Sequence, residues 1–263
     1  MMQIQVVDAK GTVLNSSHES GAGVALVHLL PYQTGDRILI HVEKSGLYTL
    51  QLDESMGKCE VYLQEHASYE VPIAPLQKTC FPLQAFNGDK HLLTLERAEN
   101  RYRNLALNPY DNHHTKGMYP HATANVETRN EMVFAARNAI DGILENRSHG
   151  DYPYASWGIN QNPEAELSLD FGRAVIIDQV RITLRADWPH DSWWTDATLT
   201  FSDGETYLCK LEKNPLPQRF DVGERIITGI KMGKLIKADD ASPFPALTQI
   251  EVFGREIPEK QEN

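Results

Sequence analysis

The sequence predicts an all-β protein built as two β-sandwich domains. Short segments rich in Val, Ile, Leu, Tyr and Thr recur along the 263 residues, and turn-forming residues bound each of them. In Leu47 to Leu52 polar and apolar residues alternate, which is the period of a strand with one buried face. Residues 130–140 alone have the composition of a short helix. Many strands with so few helices are typical of a sandwich or a jelly roll.

The first hundred residues are predicted to form a small antiparallel sandwich. Its strands are expected at residues 3–7, 22–29, 37–42, 46–52, 59–64 and 92–97. The pair Asn87-Gly88 predicts a type I′ hairpin turn before the last of them, because both residues tolerate a positive φ. We therefore expect residues 1–103 to be one domain, whose role the sequence does not indicate.

A charged and polar run, Ala98 to Arg103, predicts a domain boundary just before Asn104. Residues 104–257 then form the second domain, and residues 258–263 form a polar tail. Strands are expected in the second domain at residues 166–170, 175–185, 197–202, 206–212, 219–221, 229–236 and 248–253.

The net charge of −11 bears on the class of partner. An acidic surface repels phosphate backbones and anionic lipid, which excludes nucleic acid and membrane surfaces as expected partners. The start of the chain has neither a basic nor an apolar segment of the kind found in signal peptides, so a soluble, cytoplasmic protein is expected. Cys59, Cys80 and Cys209 are scattered without CxxC spacing, which favours buried thiols over disulfides or a zinc site.

Six sequence pieces in the second domain occur in an order that resembles a known family. They are Asn104-Leu-Ala-Leu-Asn-Pro109, Ala122-Thr-Ala-Asn125, Ala139-Ile-Asp-Gly142, Ser156-Trp157, Ala165-Glu-Leu-Ser-Leu-Asp-Phe-Gly172 and Gln249-Ile-Glu-Val-Phe-Gly254. This series resembles the discoidin-like carbohydrate-binding modules, also called coagulation-factor C-type domains. The resemblance covers Asn104 to about Ile257 and leaves the first hundred residues unplaced.

The resemblance implies a galactose-binding-like jelly roll whose loops at one end hold a sugar, often terminal galactose, without cleaving it. It implies a buried role for Trp157. In the family, an Asp-Gly turn often helps to hold a structural calcium, with a Glu before the last strand completing the site. Asp141 matches the Asp of that turn, but Gln249 stands at the Glu position. Asp141 is therefore expected either to form a structural turn or to bind calcium.

The loop from Arg185 to Trp194 is the first candidate for sugar binding. Three of the four tryptophans lie in it, although a loop that only turns would use Gly, Asn, Asp or Ser. A pyranose stacks its apolar face on an indole, and planar polar groups fix its hydroxyls. We predict four polar contacts and a tryptophan platform: Arg185, Asp187, His190 and Asp191, with Trp193 or Trp194. Alternatively, Arg185 pairs with Asp187 and the tryptophans cover the edge of the core.

The loop of residues 146–154 is the second candidate. In a jelly roll of this kind it is expected at the same end as the first loop, where His149, Tyr152 and Tyr154 would form the far wall of a pocket. The alternative is a polar exposed loop with packed aromatics. The histidines between Asn112 and His121 are expected in a solvated loop rather than in a metal site.

Carbohydrate binding is the predicted function, with a mono- or oligosaccharide as the partner. Two alternatives remain open from the sequence. One is a sugar-acting enzyme in which Asp187, His190 and Asp191 serve as acid and base. The other is a scaffold or homo-oligomer subunit whose tryptophan loop is buried against a partner chain.

Overall fold

The computed structural model describes residues 1–17, 23–185 and 192–258. Over these ranges the chain is all-β, with two large antiparallel sheets and only short helical turns. The predicted fold class is therefore confirmed. Within the same ranges no helix has the length and apolar character needed to cross a bilayer.

The N-terminal sheet contains seven strands from the first hundred residues. They are β1 (Met2–Val7), β2 (Val13–Ser16), β3 (Gly23–His28), β4 (Arg37–Val42), β5 (Gly46–Gln51), β6 (Cys59–Glu70) and β7 (His91–Arg97), in the spatial order β2-β1-β4-β6-β5-β7-β3. In β4 burial alternates strictly, with Ile38, Ile40 and Val42 facing the core. All six predicted strands are present, whereas β2 was not predicted.

The predicted hairpin at Asn87-Gly88 is wrong. Gly88 does adopt a positive φ of 90°, but a one-turn α-helix (Pro75–Lys78) and a series of turns precede it instead of a strand. Pro75 and Pro82 explain the difference, because a proline has no N–H group to donate to a neighbouring strand.

Of the nine strands that the described residues form after β7, all except β9 (Lys116–Tyr119) form the C-terminal sheet, and their lengths are very unequal. The strands after β7 are β8 (Arg103–Asn104), β9 (Lys116–Tyr119), β10 (His121–Ala124), β11 (Trp157–Gly158), β12 (Leu167–Leu184), β13 (Trp194–Phe201), β14 (Thr206–Lys210), β15 (Gln218–Lys237) and β16 (Ala246–Glu256). Their main order is β11-β16-β12-β15-β13-β14, with β10 paired to β12 and β8 paired to β16.

Two pairs of predicted strands are each one long strand. Residues 166–170 and 175–185 merge into β12, and residues 219–221 and 229–236 merge into β15. The turn expected at Asp170-Phe171-Gly172 is a bulge inside β12, where the pairing register shifts after Asp170. Gly172 supplies the positive φ of 68° that this bulge needs.

The predicted helix at residues 130–140 is replaced by three short 3-10 turns: Thr128–Asn130, Met132–Phe134 and Ala136–Ile140. Ala135 is extended and separates two of them. The buried Asn138 side chain donates hydrogen bonds to the carbonyl oxygens of Met132 and Ser156, at 2.8 and 3.3 Å. These bonds fix the tight turns in place of a continuous helix.

Residues beyond Asn104 also contribute to the N-terminal sandwich. Strand β9 pairs with β6, with Tyr119 opposite Tyr62 and Met118 opposite Leu63. Met118 and Tyr110 are buried in the N-terminal core. The domain boundary at Asn104 stays a prediction, and the two sandwiches share this connecting segment.

The C-terminal core contains the tryptophan that the resemblance places there. Trp157 is fully buried, and its ring centroid lies 6.4 Å from that of the fully buried Trp194. The three cysteines are buried free thiols, as the sequence indicates. Burial raises the pKa of Cys59 and of Cys209 to about 12, so both thiols are unreactive near neutral pH.

Candidate functional site

A pocket of about 190 Å³ opens at one end of the C-terminal sandwich, and we call it the rim pocket. Loops that are far apart in the sequence meet there, at the end of β12 and the start of β16. Its described lining consists of Thr128, Arg129, Phe134, His149, Gly158, Ile159, Asn160, Gln161, Arg185, Phe244, Pro245 and Ala246. The pocket therefore joins both loops that the sequence analysis singled out.

Arg185 is held at the pocket by the end of the sheet. It follows the last residue of β12, and its backbone N–H donates to the carbonyl oxygen of Ala246 at 3.0 Å. Its side chain is only 5% exposed, and Nη2 donates to the carbonyl oxygen of Phe244 at 3.1 Å. The guanidinium is thus fixed by the same segment that supplies the pocket's exposed aromatic ring.

His149 reaches the same pocket because its loop is fastened to the sheet. The Asn146 side chain is buried and donates to the carbonyl oxygens of Leu184 and Pro215, both at 2.7 Å. This amide ties the loop to the end of β12, one residue before Arg185. The structure thus places two of the predicted contacts, His149 and Arg185, in one hollow.

The aromatic surface of the pocket comes from Phe244. Its side chain is 44% exposed, and it lies between Pro243 and Pro245 just before β16. Each proline fixes its own φ, which limits the freedom of this short segment. An exposed ring on a stiff support is suited to stacking against a ligand.

Left-handed backbone conformations concentrate at this pocket. Arg129, Asn160 and Gln161 have φ values of 54°, 50° and 58°, although none is glycine. The Asn160 N–H donates to Thr128 Oγ1 at 2.9 Å, which joins the two segments that carry these residues. Such conformations cost about 1 kcal/mol or more each and cluster at functional sites.

The predicted tryptophan platform requires correction. Trp194 is fully buried, because it begins β13 on the inward face and packs against Trp157. Trp193 is half-buried against the same core and does not line the rim pocket. Asp187, His190 and Asp191 lie outside the described residues.

The two predicted tyrosines do not line the rim pocket either. Tyr152 lines a separate hollow between the sandwiches, together with Phe81 and Arg137, and its N–H donates to the carbonyl oxygen of Thr79 at 2.8 Å. Tyr154 is half-buried. His149 and Tyr152 of the same loop therefore line two different hollows.

Sequence reasoning missed Phe244, Asn160, Gln161 and Arg129. The amides and Arg129 carry no spacing signal, because tertiary contacts alone bring their segments together. Phe244 did have a signal: an aromatic between two prolines, immediately before the last strand, is poorly suited to a core.

The Asp-Gly turn has the predicted geometry. Gly142 has a φ of 87°, and the Ile143 N–H donates to Asp141 Oδ1 at 2.9 Å. Asp141 and Gly142 thus make the contacts expected of a structural turn. Burial raises the pKa of Asp141 to about 6, against the opposing charge of Arg137.

The residues around Asp141 do not fit a calcium ion. Gln249 Nε2 donates to Asp141 Oδ1 and to the Asn138 carbonyl oxygen, both at 2.6 Å, while its Oε1 accepts from the Gly142 N–H. The Arg137 guanidinium lies 3.6 Å from Asp141 Oδ2. Donor groups thus face the oxygens that calcium would need. Among the residues the structure describes, no three metal-ligating side chains form a group.

No protein-family model matches the sequence, and no curated protein is significantly similar to it. Solved structures that are similar include carbohydrate-binding modules. A family 32 module from C. perfringens NanJ, in complex with galactose, is 20% identical over 50% of this chain and 91% of its own, with a TM-score of 0.38. A Streptococcus pneumoniae fucose binding module is 12% identical over 57% and 96%, with a TM-score of 0.41.

The lectin domain of lectinolysin, complexed with Lewis B antigen, is also similar to this chain. It is 15% identical over 57% of this chain and 96% of its own, with a TM-score of 0.43.

Proposed function

We propose that the chain binds carbohydrate in the rim pocket and does not cleave it. The observation that carries this proposal is the juxtaposition of the exposed Phe244 ring with the Arg185 guanidinium, which bonds to the carbonyl oxygen of Phe244 itself. A pyranose has an apolar C–H face and a polar edge, so an aromatic ring and planar donors side by side are suited to holding it.

The rest of the lining supplies the other polar groups. Asn160 and Gln161 carry amides that can both donate and accept hydrogen bonds, and the His149 imidazole can do the same when neutral. The volume of about 190 Å³ suits a single sugar ring better than a larger ligand. A terminal monosaccharide unit is therefore the ligand that we propose.

The first test is sugar binding by the purified chain. We expect galactose, N-acetylgalactosamine or fucose to bind in the millimolar range by isothermal titration calorimetry. Phe244→Ala should weaken binding about tenfold or more, because stacking contributes about 1 kcal/mol beyond the area buried. Leu216→Ala, at a position 66% exposed and outside the pocket, is the matched control. Equal affinity in Phe244→Ala and the control would contradict the proposal.

The second test separates binding from catalysis. Products released from any glycan that binds would support the enzyme alternative, in which Asp187, His190 and Asp191 act as acid and base. We expect no release of reducing sugar, even after prolonged incubation with excess protein. The scaffold alternative predicts self-association without any response to sugar, which sedimentation with and without galactose would detect.

A further inference from the structure

A second hollow of about 720 Å³ lies on the outer face of the C-terminal sheet and shares no lining residue with the rim pocket. We call it the sheet groove. It crosses four adjacent strands, β10, β12, β15 and β13. Ala122, Leu169 and Ile230 point into the core from these strands, so the side chains before and after them face the groove.

The strand registers set polar groups in two rows across the groove. His121 pairs with Asp170 and Asp170 with Gly229, while the next row runs through Thr123, Ser168, Lys231 and Thr200. Gly229 contributes no side chain to the first row. Three inter-strand spacings give the groove a length of about 14 Å across the strands. It is therefore long enough for a chain of several sugar rings.

His121 is fixed in orientation by a buried carboxylate. Its Nδ1 lies 2.6 Å from Oδ1 of Asp111, which is completely buried, and Oδ2 of Asp111 accepts the Ala122 N–H at 2.8 Å. A buried carboxylate is costly unless it is paired. Because Nδ1 is engaged, Nε2 is the nitrogen that remains for contacts on the groove side. His121 and Asp170 thus stand side by side as a donor and an acceptor.

Both basic side chains that line the groove are paired with carboxylates, and Asp170 adds a further negative charge. Lys231 Nζ lies 2.8 Å from Glu166 Oε1, and His121 is paired with Asp111. Asp170 Oδ1 accepts the Gly172 N–H at 2.8 Å. Hydroxyl groups of Thr123, Ser168, Thr200, Ser202 and Thr228 also line the groove. Such a surface is complementary to an uncharged ligand rich in hydroxyls, and it offers no excess of positive charge for an anionic polymer.

We propose that the sheet groove is a second ligand site, which binds the interior of a linear, neutral oligosaccharide. The His121 imidazole and the Asp170 carboxylate hydrogen-bond neighbouring hydroxyls of one ring, and the row of hydroxyls contacts the next rings. This site does not depend on the rim pocket, because a chain can lie across the strands without its end entering the pocket.

The experiment uses the full chain carrying Phe244→Ala, which impairs the rim pocket. Cellotetraose, xylotetraose and chitotetraose are titrated while backbone amide shifts are followed by NMR, with the matching monosaccharides as comparison. We expect at least one tetrasaccharide to shift the amides of His121, Thr123 and Ser168, whereas the monosaccharides leave them unchanged.

Filling the groove provides the matched variants. Thr200→Leu, which removes a hydroxyl and fills the groove with an aliphatic side chain, is expected to weaken tetrasaccharide binding about tenfold, and Thr123→Leu serves if the first variant fails to fold. Arg219→Leu places the same side chain on β15 outside the groove and should leave affinity unchanged. The proposal is overturned if no tetrasaccharide shifts these amides, or if the folded groove variant binds within about twofold of the control. If the unaltered chain binds no monosaccharide while a tetrasaccharide still shifts the groove amides, the rim-pocket proposal fails and the groove proposal stands.

Discussion

Arg137 is a buried cation whose donors are directed almost entirely at backbone oxygens. It donates to the carbonyl oxygens of Asp111, Cys80 and Pro109, at 2.9, 3.1 and 2.6 Å. Its guanidinium carbon also lies 4.4 Å from the centroid of the Phe81 ring. One side chain thus connects the loop before β7 with the segment that follows β8.

Removing this guanidinium should be strongly destabilising. Arg137→Met leaves three carbonyl oxygens and Asn138 Oδ1 without this donor and removes the positive charge beside the buried Asp141, so we expect a loss of about 3–5 kcal/mol in the free energy of unfolding. Urea denaturation measures this loss. Arg147→Met is the control, because the Arg147 side chain is 82% exposed and, within the described part of the chain, is paired with Glu145. Its loss in the free energy of unfolding should stay below about 0.5 kcal/mol. Similar losses in both variants would contradict this role.

Calcium should have no effect on stability, because Gln249 and Arg137 present donors to Asp141. Added calcium is expected to change the Tm by less than about 1 °C, since a ligand stabilises only the state that it binds. Gln249→Glu should lower the Tm in chelator, because two carboxylates would then be buried together. A rise of several degrees with calcium in the unaltered chain, abolished by Asp141→Asn, would reverse this conclusion.

His121 should make stability depend on pH. Its hydrogen bond with Asp111 is the largest cause that raises the pKa of the imidazole above 6.5. A raised pKa in the folded state stabilises the protein below about 6.5, and this contribution is lost as the pH rises through the folded pKa. Relative to His121→Gln, the unaltered chain should therefore lose stability as the pH rises from about 6.5 through the raised pKa of the folded state.

The pKa itself can be measured by following the His121 ring proton by NMR during a pH titration. Asp111→Asn should bring the pKa back toward the value of a free histidine. A pKa at or below 6.5 in the unaltered chain would contradict the pairing.

The candidate site was partly predictable from individual residues. Arg185 and His149 stood out because charged and polar groups filled loops next to predicted strands. The prediction of Trp194 as a sugar-binding platform was wrong. Its sequence neighbours suggested a loop, but Trp194 begins β13 and its side chain is buried in the core. Asn160 reaches the pocket through a left-handed conformation and a bond to Thr128, which no sequence pattern signals.

At the level of elements, the alternation of polar and apolar residues identified strands, but it failed where a strand bends. β4 and β5 have a strict period of two, and their predicted bounds agree with the structure within a residue. β12 and β15 were each divided in two, because a glycine and charged residues interrupt the apolar pattern at a bulge. β9 and β10 were missed because each has only four residues and Pro120 stands between them.

The bulge in β12 gives a prediction for the element. Gly172 has a φ of 68°, and a Cβ built there would lie 2.4 Å from the Tyr119 ring. Gly172→Ala should therefore cost about 2–4 kcal/mol, from backbone strain together with a clash against β9.

Gly204 at the turn between β13 and β14 is the matched control for this substitution. Its φ is 93°, but a Cβ there would meet nothing within 4 Å, so Gly204→Ala should cost only about 1 kcal/mol. Chemical denaturation compares the two variants, and equal costs would mean that Tyr119 moves away without penalty.

At the level of the whole molecule, the two sandwiches are joined by buried polar and apolar contacts. Arg103, which is 10% exposed, lies 2.8 Å from Glu256 and 3.3 Å from Glu60. The Tyr110 hydroxyl donates to the carbonyl oxygen of Asp53 at 3.1 Å. Strand β9 adds its backbone hydrogen bonds to β6.

We therefore expect the full chain to unfold in one cooperative transition. Residues 104–258 produced alone should fail to fold stably, because Met118 and Tyr110 would lose the core in which they are buried. Scanning calorimetry of the full chain and circular dichroism of the fragment measure this. Two separate transitions, or a fragment as stable as the full chain, would contradict it.

Strand β9 (Lys116–Tyr119) pairs with the N-terminal sheet, and this pairing limits where the chain can be divided. A segment can be moved between proteins as a unit when neither of its ends removes a strand from the part that is left behind. Here a cut at Asn104 would transfer β9 to the new host and deprive the remaining sandwich of one of its strands. We therefore expect a division of the chain at Asn104 to destabilise the N-terminal sandwich, which would lose strand β9.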